Sequence, residues 1–236
     1  MEYNSISVIG LGYIGLPTAS IIASKGKNVI GVDVNKDTVH TINSGKIHIV
    51  EPDLEEIVQK VVNSGNLKAF CVPQKSDAFI ISVPTPFRGS TENGPFNPEP
   101  DLSYVKSAAK SIAGFLSPGN LVILESTSPV GTSEKLNNWL AEERSDLKFP
   151  LSHGEDSDIR IAYCPERVLP GNILLELVKN DRVVGGITQK CAEEAINLYK
   201  IFVDGKCITT NARTAEMVKL TENASRDVSI AFANEL

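Results

Sequence analysis

The segment Ile6–Gly15, which reads ISVIGLGYIG, limits the possible folds of this chain more than any other. A short β-branched strand runs into Gly-x-Gly-x-x-Gly and then into an apolar helix, which is the arrangement of a dinucleotide site. Gly10 allows the tight turn, Gly12 lets a pyrophosphate approach the backbone, and Gly15 lets the helix pack on the strand. The anion would sit at the helix N-terminus, where N–H groups and the helix dipole favour negative charge. The predicted cofactor contacts of this loop are Gly10, Gly12, Tyr13, Ile14 and Gly15.

A carboxylate follows the second predicted strand. Asp33 ends the apolar run Val29–Val32 and can accept both ribose hydroxyls of an adenosine, whereas it would repel a 2′-phosphate. The sequence therefore favours NAD over NADP. Lys36 either approaches the adenosine ribose or phosphate or is a solvated lysine at the start of a helix. On the evidence of these strands, glycines and the acid, an FAD site or nucleotide-sugar epimerisation also stays open.

The order of predicted elements indicates an α/β fold. Continuous apolar runs at Ala78–Val83 and Leu121–Leu124 are typical of parallel strands covered on both faces. We predict a Rossmann-type, doubly wound, mostly parallel sheet of about six to eight strands, followed by the start of a long central helix. Residues 1–211 would form the NAD-binding Rossmann-like domain, and residues 212–236 the start of the central helix.

Three polar segments follow predicted strands, at the end of the sheet where ligands bind in such folds. They are Pro84–Pro86, Ser126–Pro129 and Cys164–Arg167. Between two of the strands lies a loop, residues 87–100, and then a helix over residues 101–115 that Asp101 can cap.

Composition excludes several classes of function. The net charge of −6 is spread along the chain without a basic stripe, so nucleic-acid binding is disfavoured. We expect no membrane span or leader peptide and a cytoplasmic protein. Four cysteines without C-x-x-C spacing and three histidines predict reduced thiols and no metal site.

The end of the chain keeps a helical rhythm. From Arg213 to Leu236 apolar residues recur mainly every three or four positions, and no Gly or Pro closes the helix. We therefore expect a truncated chain. An open apolar stripe with Val228, Phe232 and Leu236 would be covered by the continuing chain or by a second subunit, and we expect a homodimer through this helix.

Motifs spread over essentially the whole chain resemble the nucleotide-sugar 6-dehydrogenases. Within that family, the form Pro-Glu-Arg-Val-Leu-Pro-Gly and the segment Arg213–Met217 resemble the branch that oxidises UDP-N-acetyl-D-mannosamine, which is similar to the branch for UDP-N-acetylglucosamine. Enzymes for UDP-glucose usually carry a second Glu where this chain has Pro170. The motifs are Gly10–Gly15, Asp33, Val83–Pro86, Ser126–Thr132, Pro165–Gly171 and Ala215–Asn223.

The resemblance implies a four-electron oxidation of the sugar C6 alcohol to the uronic acid by NAD, in the synthesis of surface-polysaccharide precursors. It implies that Lys219 and Asn223, four apart on one helix face, hold developing oxyanions. Glu166 would assist water and proton transfer, and Thr127 would join the hydrogen-bonded site. Thr85 and Thr127 are expected beside the cofactor. The expected substrate is a UDP-N-acetyl-hexosamine.

One part of that chemistry is absent from the sequence. The family's nucleophilic cysteine sits in a Gly-Gly-His-Cys loop, which does not occur in these 236 residues, and the UDP-binding C-terminal domain is missing too. Cys164 stands two residues before Glu166, but its setting indicates a buried thiol rather than a reactive thiolate. We therefore expect this chain to bind NAD and to be inactive by itself.

Two other functions stay open. A non-catalytic NAD-binding module would use the same fold without needing Lys219 or Glu166. An epimerase or short-chain reductase would use a Tyr-x-x-x-Lys pair, and none of the five tyrosines has a lysine four residues on.

Overall fold

The computed structural model describes residues 3–88, 98–169 and 171–236. Most of the predicted loop over residues 87–100, and Pro170, lie outside the described residues. The strands are β1 (Ser5–Ile9), β2 (Asn28–Val32), β3 (Leu67–Phe70), β4 (Ala78–Ile81), β5 (Phe87–Arg88), β6 (Glu99–Pro100), β7 (Leu121–Leu124), β8 (Arg160–Tyr163), β9 (Arg182–Gly186) and β10 (Cys207–Asn211). The α-helices are α1 (Gly15–Ser24), α2 (Lys36–Asn43), α3 (Leu54–Asn63), α4 (Ser103–Ala113), α5 (Thr132–Glu143), α6 (Pro150–His153), α7 (Ile173–Lys179), α8 (Gln189–Tyr199) and α9 (Ala212–Glu235).

An eight-stranded sheet forms the centre of the fold, in the order β10-β9-β8-β7-β4-β1-β2-β3. The six strands from β8 to β3 are parallel, which confirms the predicted Rossmann-type α/β fold. All residues of β4 and β7 are buried, as their continuous apolar sequences predict for strands covered on both faces. The carboxyl ends of β1, β4, β7 and β8 therefore meet at one edge of the sheet.

The direction of β9 matters for the site. It pairs antiparallel with β8, with Tyr163 opposite Gly185, and β10 runs parallel to β9. Because β9 runs the other way, its first residue, Arg182, lies at the edge where β8 ends. Arg182, at the start of β9, therefore lies beside the loops that follow the parallel strands.

Helices cover both faces of the sheet and bury two apolar clusters. Leu16 and Ile22 of α1 and Val58 of α3 pack on one face, together with Tyr199 of α8. The other face packs against α4 and α5, whose Ile112 and Leu136 are fully buried. Burial of apolar side chains on both faces of the sheet supplies the main driving force for this fold. The same packing holds the carboxyl ends of the strands in fixed positions relative to one another.

Several local predictions differ from the structure. The polar sequence of residues 144–158 predicts an irregular surface insertion. In the structure these residues contain α6 and a 3₁₀ turn at Gly154–Asp156, and Phe149 is buried. Helix α4 begins at Ser103, two residues later than predicted, although Asp101 does accept a hydrogen bond from the Ser103 N–H. Helix α7 had no counterpart among the predicted elements.

The final helix, α9, continues to Glu235 as predicted. A buried carboxylate fixes its beginning: Glu216 accepts hydrogen bonds from the Gly131 N–H at 2.6 Å and the Ser133 N–H at 2.7 Å, at the N-terminus of α5. This contact satisfies helix N–H groups that lack intrahelical partners. It also directs the first turns of α9 along the sheet edge. No helix in the described ranges is both long and apolar enough to cross a bilayer.

Candidate cofactor and active site

A cavity of about 500 Å³ opens at the carboxyl ends of the parallel strands. Its lining joins the glycine loop to residues that follow β4, β7 and β8 and to one side chain of α9. Predicted site residues in this lining are Gly10, Gly12, Tyr13, Ile14, Asp33, Thr85, Thr127, Glu166 and Lys219. Gly15, Lys36 and Asn223 lie outside it. The structure therefore brings both ends of the predicted site, for cofactor and for chemistry, into one cavity.

The three motif glycines have different surroundings. Gly10 has a φ of +92°, and a Cβ there would lie 2.6 Å from the Ser82 carbonyl oxygen. A Cβ on Gly15 would lie 1.8 Å from the Gly10 carbonyl oxygen, whereas a Cβ on Gly12 would meet nothing within 4 Å. Gly10 and Gly15 are thus required by the protein's own packing. Gly12 faces open space, as a backbone approached by a pyrophosphate must.

Asp33 is held in place by the glycine loop itself. Its Oδ2 accepts from the Leu11 N–H at 3.0 Å, and its Oδ1 accepts from the Asn35 N–H at 2.9 Å. Asp33 is partly buried, and each oxygen keeps further lone pairs for a ligand. Lys36 is the exposed first residue of α2. These positions fit a ribose held by Asp33 at the end of β2.

Hydroxyl groups join the loops after β4 and β7. Thr85 Oγ1 donates to the Thr127 carbonyl oxygen at 2.6 Å, and Ser126 Oγ donates to the Val83 carbonyl oxygen at 2.7 Å. Both loops line the cavity. Their hydrogen bonds fix the wall opposite the glycine loop.

The predicted catalytic side chains come from two distant parts of the sequence. Lys219 Nζ donates to the backbone carbonyl oxygen of Glu166 at 2.5 Å. Burial lowers the pKa of Lys219, and the nearby Glu166 charge opposes that shift. Asn223 lies one turn further along α9, partly exposed and outside the cavity lining. Glu166 and Lys219 are therefore placed together at the cavity, without Asn223.

A polar cluster at the cavity wall was not predicted as a unit: Ser82, Glu125 and Glu166 line the cavity, and Arg182 and Tyr199 are outside its lining. Glu166 Oε2 accepts from Arg182 Nη1 at 2.9 Å. The Arg182 guanidinium lies 4.9 Å from the centre of the Tyr199 ring. The Tyr199 hydroxyl donates to Glu125 Oε1 at 2.7 Å, and Ser82 Oγ donates to Glu125 Oε2 at 2.9 Å. Charged residues inside otherwise apolar stretches, such as Glu125 directly after β7, were the available signal.

The two carboxyl groups of this cluster, Glu125 and Glu166, have different electrostatic surroundings. Burial raises the pKa of the Glu125 carboxyl, while the charge of Arg182 acts in the opposite direction. Burial disfavours the charged form of Arg182, but Glu166 and the other acidic groups around the guanidinium together outweigh burial and raise the pKa of Arg182. Glu166 is the carboxyl in direct ion-pair contact with the guanidinium, whereas Glu125 contacts hydroxyl groups.

The cysteines do not supply a nucleophile at the cavity. Cys164 is fully buried, and burial raises the pKa of its thiol to about 12. Cys191 is buried, Cys207 is partly buried, and Cys71 is exposed, and none of the four is in the lining of the 500 Å³ cavity. In the described ranges, no group of three or more His, Cys, Asp or Glu side chains could hold a metal ion.

A second cavity of about 350 Å³ adjoins the first and shares Gly10, Asp33, Val83 and Pro84 with it. Its lining is mainly apolar and includes the exposed Cys71. Asp33 thus stands between a polar cavity and an apolar crevice.

Comparison with known proteins identifies the family. Residues 4–203 match the profile described as UDP-glucose/GDP-mannose dehydrogenase family, NAD binding domain. The chain belongs to this family. The predicted cofactor, NAD, is therefore confirmed, and the glycine loop with Asp33 belongs to the NAD-binding domain of a UDP-glucose/GDP-mannose dehydrogenase family member.

Individual relatives cover the whole chain. It is 65% identical over 235 residues to the UDP-N-acetyl-D-mannosamine dehydrogenase of Campylobacter jejuni. The match covers 100% of this chain and 56% of that protein. It is 59% identical to the NDP-N-acetyl-D-galactosaminuronic acid dehydrogenase of Ralstonia nicotianae, over 100% of this chain and 54% of that protein. The chain spans about half the length of the curated relatives it matches.

A solved relative shares the fold. The UDP-D-ManNAc dehydrogenase of Pyrococcus horikoshii superposes with a TM-score of 0.88 at 44% identity, over 98% of this chain and 52% of that one. Sequence and fold thus place this family member beside dehydrogenases of N-acetylated nucleotide sugars.

Proposed function

We propose that this chain is the cofactor-binding part of an NAD-dependent dehydrogenase that oxidises the C6 alcohol of UDP-N-acetyl-D-mannosamine to the uronic acid, for surface-polysaccharide precursors. The observation that carries the proposal is the single cavity that runs from the glycine loop and Asp33 to Glu166 and Lys219. A module that only bound NAD would need the glycine loop and Asp33 but not Glu166 and Lys219. The mannosamine dehydrogenases among its relatives support the choice of sugar.

The overall reaction takes four electrons from the sugar. One alcohol, one water and two NAD⁺ give one carboxylate, two NADH and three protons. The cofactor supplies the hydride acceptor. Lys219, with Asn223 beside it on α9, would stabilise the developing oxyanion, and the lowered pKa of Lys219 makes its proton easier to share. Glu166 would hold and deprotonate the water.

The cofactor contacts follow the shape of the two cavities. The pyrophosphate would lie over Gly12, at the start of α1, where helix N–H groups favour an anion. The ribose would bind Asp33, with Lys36 at the adjacent start of α2, and the adenine would enter the apolar crevice beside Cys71. Thr85 and Thr127 would line the nicotinamide end.

The thiol that traps the aldehyde would come from outside these residues. Cys164 cannot serve because its thiol is buried and its pKa is raised to about 12. We propose residues 1–211 as the NAD-binding domain and 212–236 as the beginning of a central helix. The 236-residue chain would bind NAD without steady-state oxidation of a UDP-sugar. Four free cysteines fit a cytoplasmic protein.

Helix α9 would form a homodimer. Val228, Ile230 and Phe232 are each more than half exposed on its last turns. Exposed apolar side chains of this size favour association. Light scattering of the wild type and of Phe232→Asp tests this, and a wild-type monomer would contradict it.

The substrate is tested with the intact protein, NAD and three UDP-N-acetylhexosamines, the manno, gluco and galacto forms. We expect two NADH per sugar and a uronic acid product, with the highest kcat/KM for the manno form. Preference for the gluco form would give the alternative enzyme, a UDP-N-acetylglucosamine 6-dehydrogenase. Preference for the galacto form would follow the Ralstonia relative. NAD binding without NADH formation on any of these sugars would indicate the non-catalytic module.

A further inference from the structure

We infer that Arg182 is a positioning residue of the proposed active site, whose guanidinium holds the Glu166 carboxylate in the cavity wall. The inference rests on the proposed role of Glu166 in handling water. Arg182 itself is not in the cavity lining, so it acts through Glu166.

The ion pair is close and almost completely buried. Arg182 Nη1 and Glu166 Oε2 are 2.9 Å apart, and the two side chains are 4% and 8% exposed. Removing two charges from water costs so much that apolar residues of the same size often stabilise a core equally well or better. Stability alone therefore gives no reason for an ion pair here. The position of the ion pair does give a reason, because its member Glu166 lines the cavity.

The guanidinium has little freedom to move. The rings of Tyr199 and Phe202 lie 4.9 Å and 5.7 Å from it, and Nη2 donates to the Leu177 carbonyl oxygen at 3.1 Å. These contacts come from α7, α8 and the residues that follow α8. A donor fixed on several elements is able to hold a carboxylate in one orientation.

Other ionisable groups around Glu166 have different partners. Glu125 accepts from the Tyr199 and Ser82 hydroxyls, and Lys219 contacts the backbone oxygen of Glu166 rather than its carboxylate. Among the described residues, Arg182 is the cation that forms an ion pair with this carboxylate. The antiparallel direction of β9 produces this contact, because it brings the first residue of β9 opposite the loop that follows β8.

The test is a double-mutant cycle in the intact protein. The variants are Glu166→Gln, Arg182→Met, Arg182→Lys and the double variant Glu166→Gln/Arg182→Met. The control is Lys179→Met, which removes an exposed ion pair with Asp204 on the same side of the fold. The measurements are kcat and KM for the UDP-sugar, Kd for NAD and unfolding by denaturant, with kcat expressed per NAD-binding site.

We expect Glu166→Gln and Arg182→Met each to lower kcat by a similar factor, roughly 10²-fold to 10⁴-fold, as for loss of a general acid or base. The double variant should be no slower than the slower single variant, because the two residues act as one unit. Arg182→Lys keeps the charge and should recover at least about tenfold over Arg182→Met. Kd for NAD should change by less than about threefold, and Lys179→Met should match the wild type.

Two results would overturn the inference: wild-type kcat in Arg182→Met, or losses that multiply in the double variant. If Arg182→Met does not fold, Arg182→Gln, which also removes the charge, replaces it in the same cycle. A wild-type protein that oxidises no UDP-sugar would instead refute the proposed function. In that case the cycle is evaluated with the free energies of unfolding. Each single variant should be less stable than the wild type, and the double variant should be more stable than either single variant, because it has no unpaired buried charge. Additive destabilisation would overturn the pairing.

Discussion

Adding a single methyl group to the glycine loop should separate cofactor binding from folding. In Gly12→Ala the new Cβ meets no protein atom within 4 Å, so the fold accepts it. We expect the free energy of unfolding to change by less than about 1 kcal/mol, because alanine introduces no clash here and restricts the unfolded chain. In the proposed binding mode, the same methyl group would occupy the space of the pyrophosphate.

The loss of NAD binding can be estimated from the hydrogen bonds involved. Moving a phosphate away from helix N–H groups breaks charge-assisted bonds worth about 1.5–3 kcal/mol each. Losing one such bond weakens binding by about 1.5–3 kcal/mol, which corresponds to a Kd roughly 10-fold to 200-fold higher.

Gly15→Ala is the matched control. Its Cβ would lie 1.8 Å from the Gly10 carbonyl oxygen, so the backbone must move, at a cost of at least about 1–3 kcal/mol. Titration calorimetry with NAD and denaturant unfolding should therefore give opposite patterns: Gly12→Ala loses binding and keeps stability, and Gly15→Ala loses stability. NAD binding by Gly12→Ala at the wild-type Kd would refute the placement of the pyrophosphate.

Three further changes test other parts of the site. Asp33→Asn removes the charge that would repel a 2′-phosphate, so the ratio of the NADP and NAD dissociation constants should fall about tenfold or more by calorimetry. Saturating NAD should slow the alkylation of Cys71, measured by mass spectrometry of the modified peptide, because the adenine would cover the crevice. Glu125→Gln should change the pH dependence of stability. The pKa of Glu125 is raised in the folded state, so as the pH rises above 4.5 the unfolded state loses this proton while the folded state still holds it. The wild type should therefore lose stability relative to Glu125→Gln as the pH rises from 4.5, in urea unfolding at several pH values.

Controls make each of these outcomes decisive. An unchanged cofactor ratio in Asp33→Asn would remove Asp33 from the ribose site. Cys207 is in neither cavity lining and should react at the same rate with or without NAD. If Cys71 also reacted at the same rate with and without NAD, the adenine would bind elsewhere. Parallel pH profiles for the wild type and Glu125→Gln would show that the Glu125 proton is not retained in the folded state.

Sequence alone determined the parts of this protein that depend on neighbouring residues. The turn at Gly10, the helix after Gly15 and the carboxylate at the end of β2 follow from local spacing, because each requirement acts over a few residues. Continuous apolar runs predicted the central strands for the same reason. The cavity lining contains most of the predicted residues because parallel strands bring their carboxyl ends together.

Only the tertiary structure decided which distant residues meet. Arg182 contacts Glu166 because β9 runs antiparallel to β8, and no local pattern shows the direction of a strand. Lys219 lines the cavity while Asn223, on the same helix face by spacing, lies outside it, because Glu216 fixes the angle at which α9 crosses the sheet edge. Helical periodicity gives the relative positions of side chains on one helix, but the rotation and tilt of that helix come from the surfaces on which it packs.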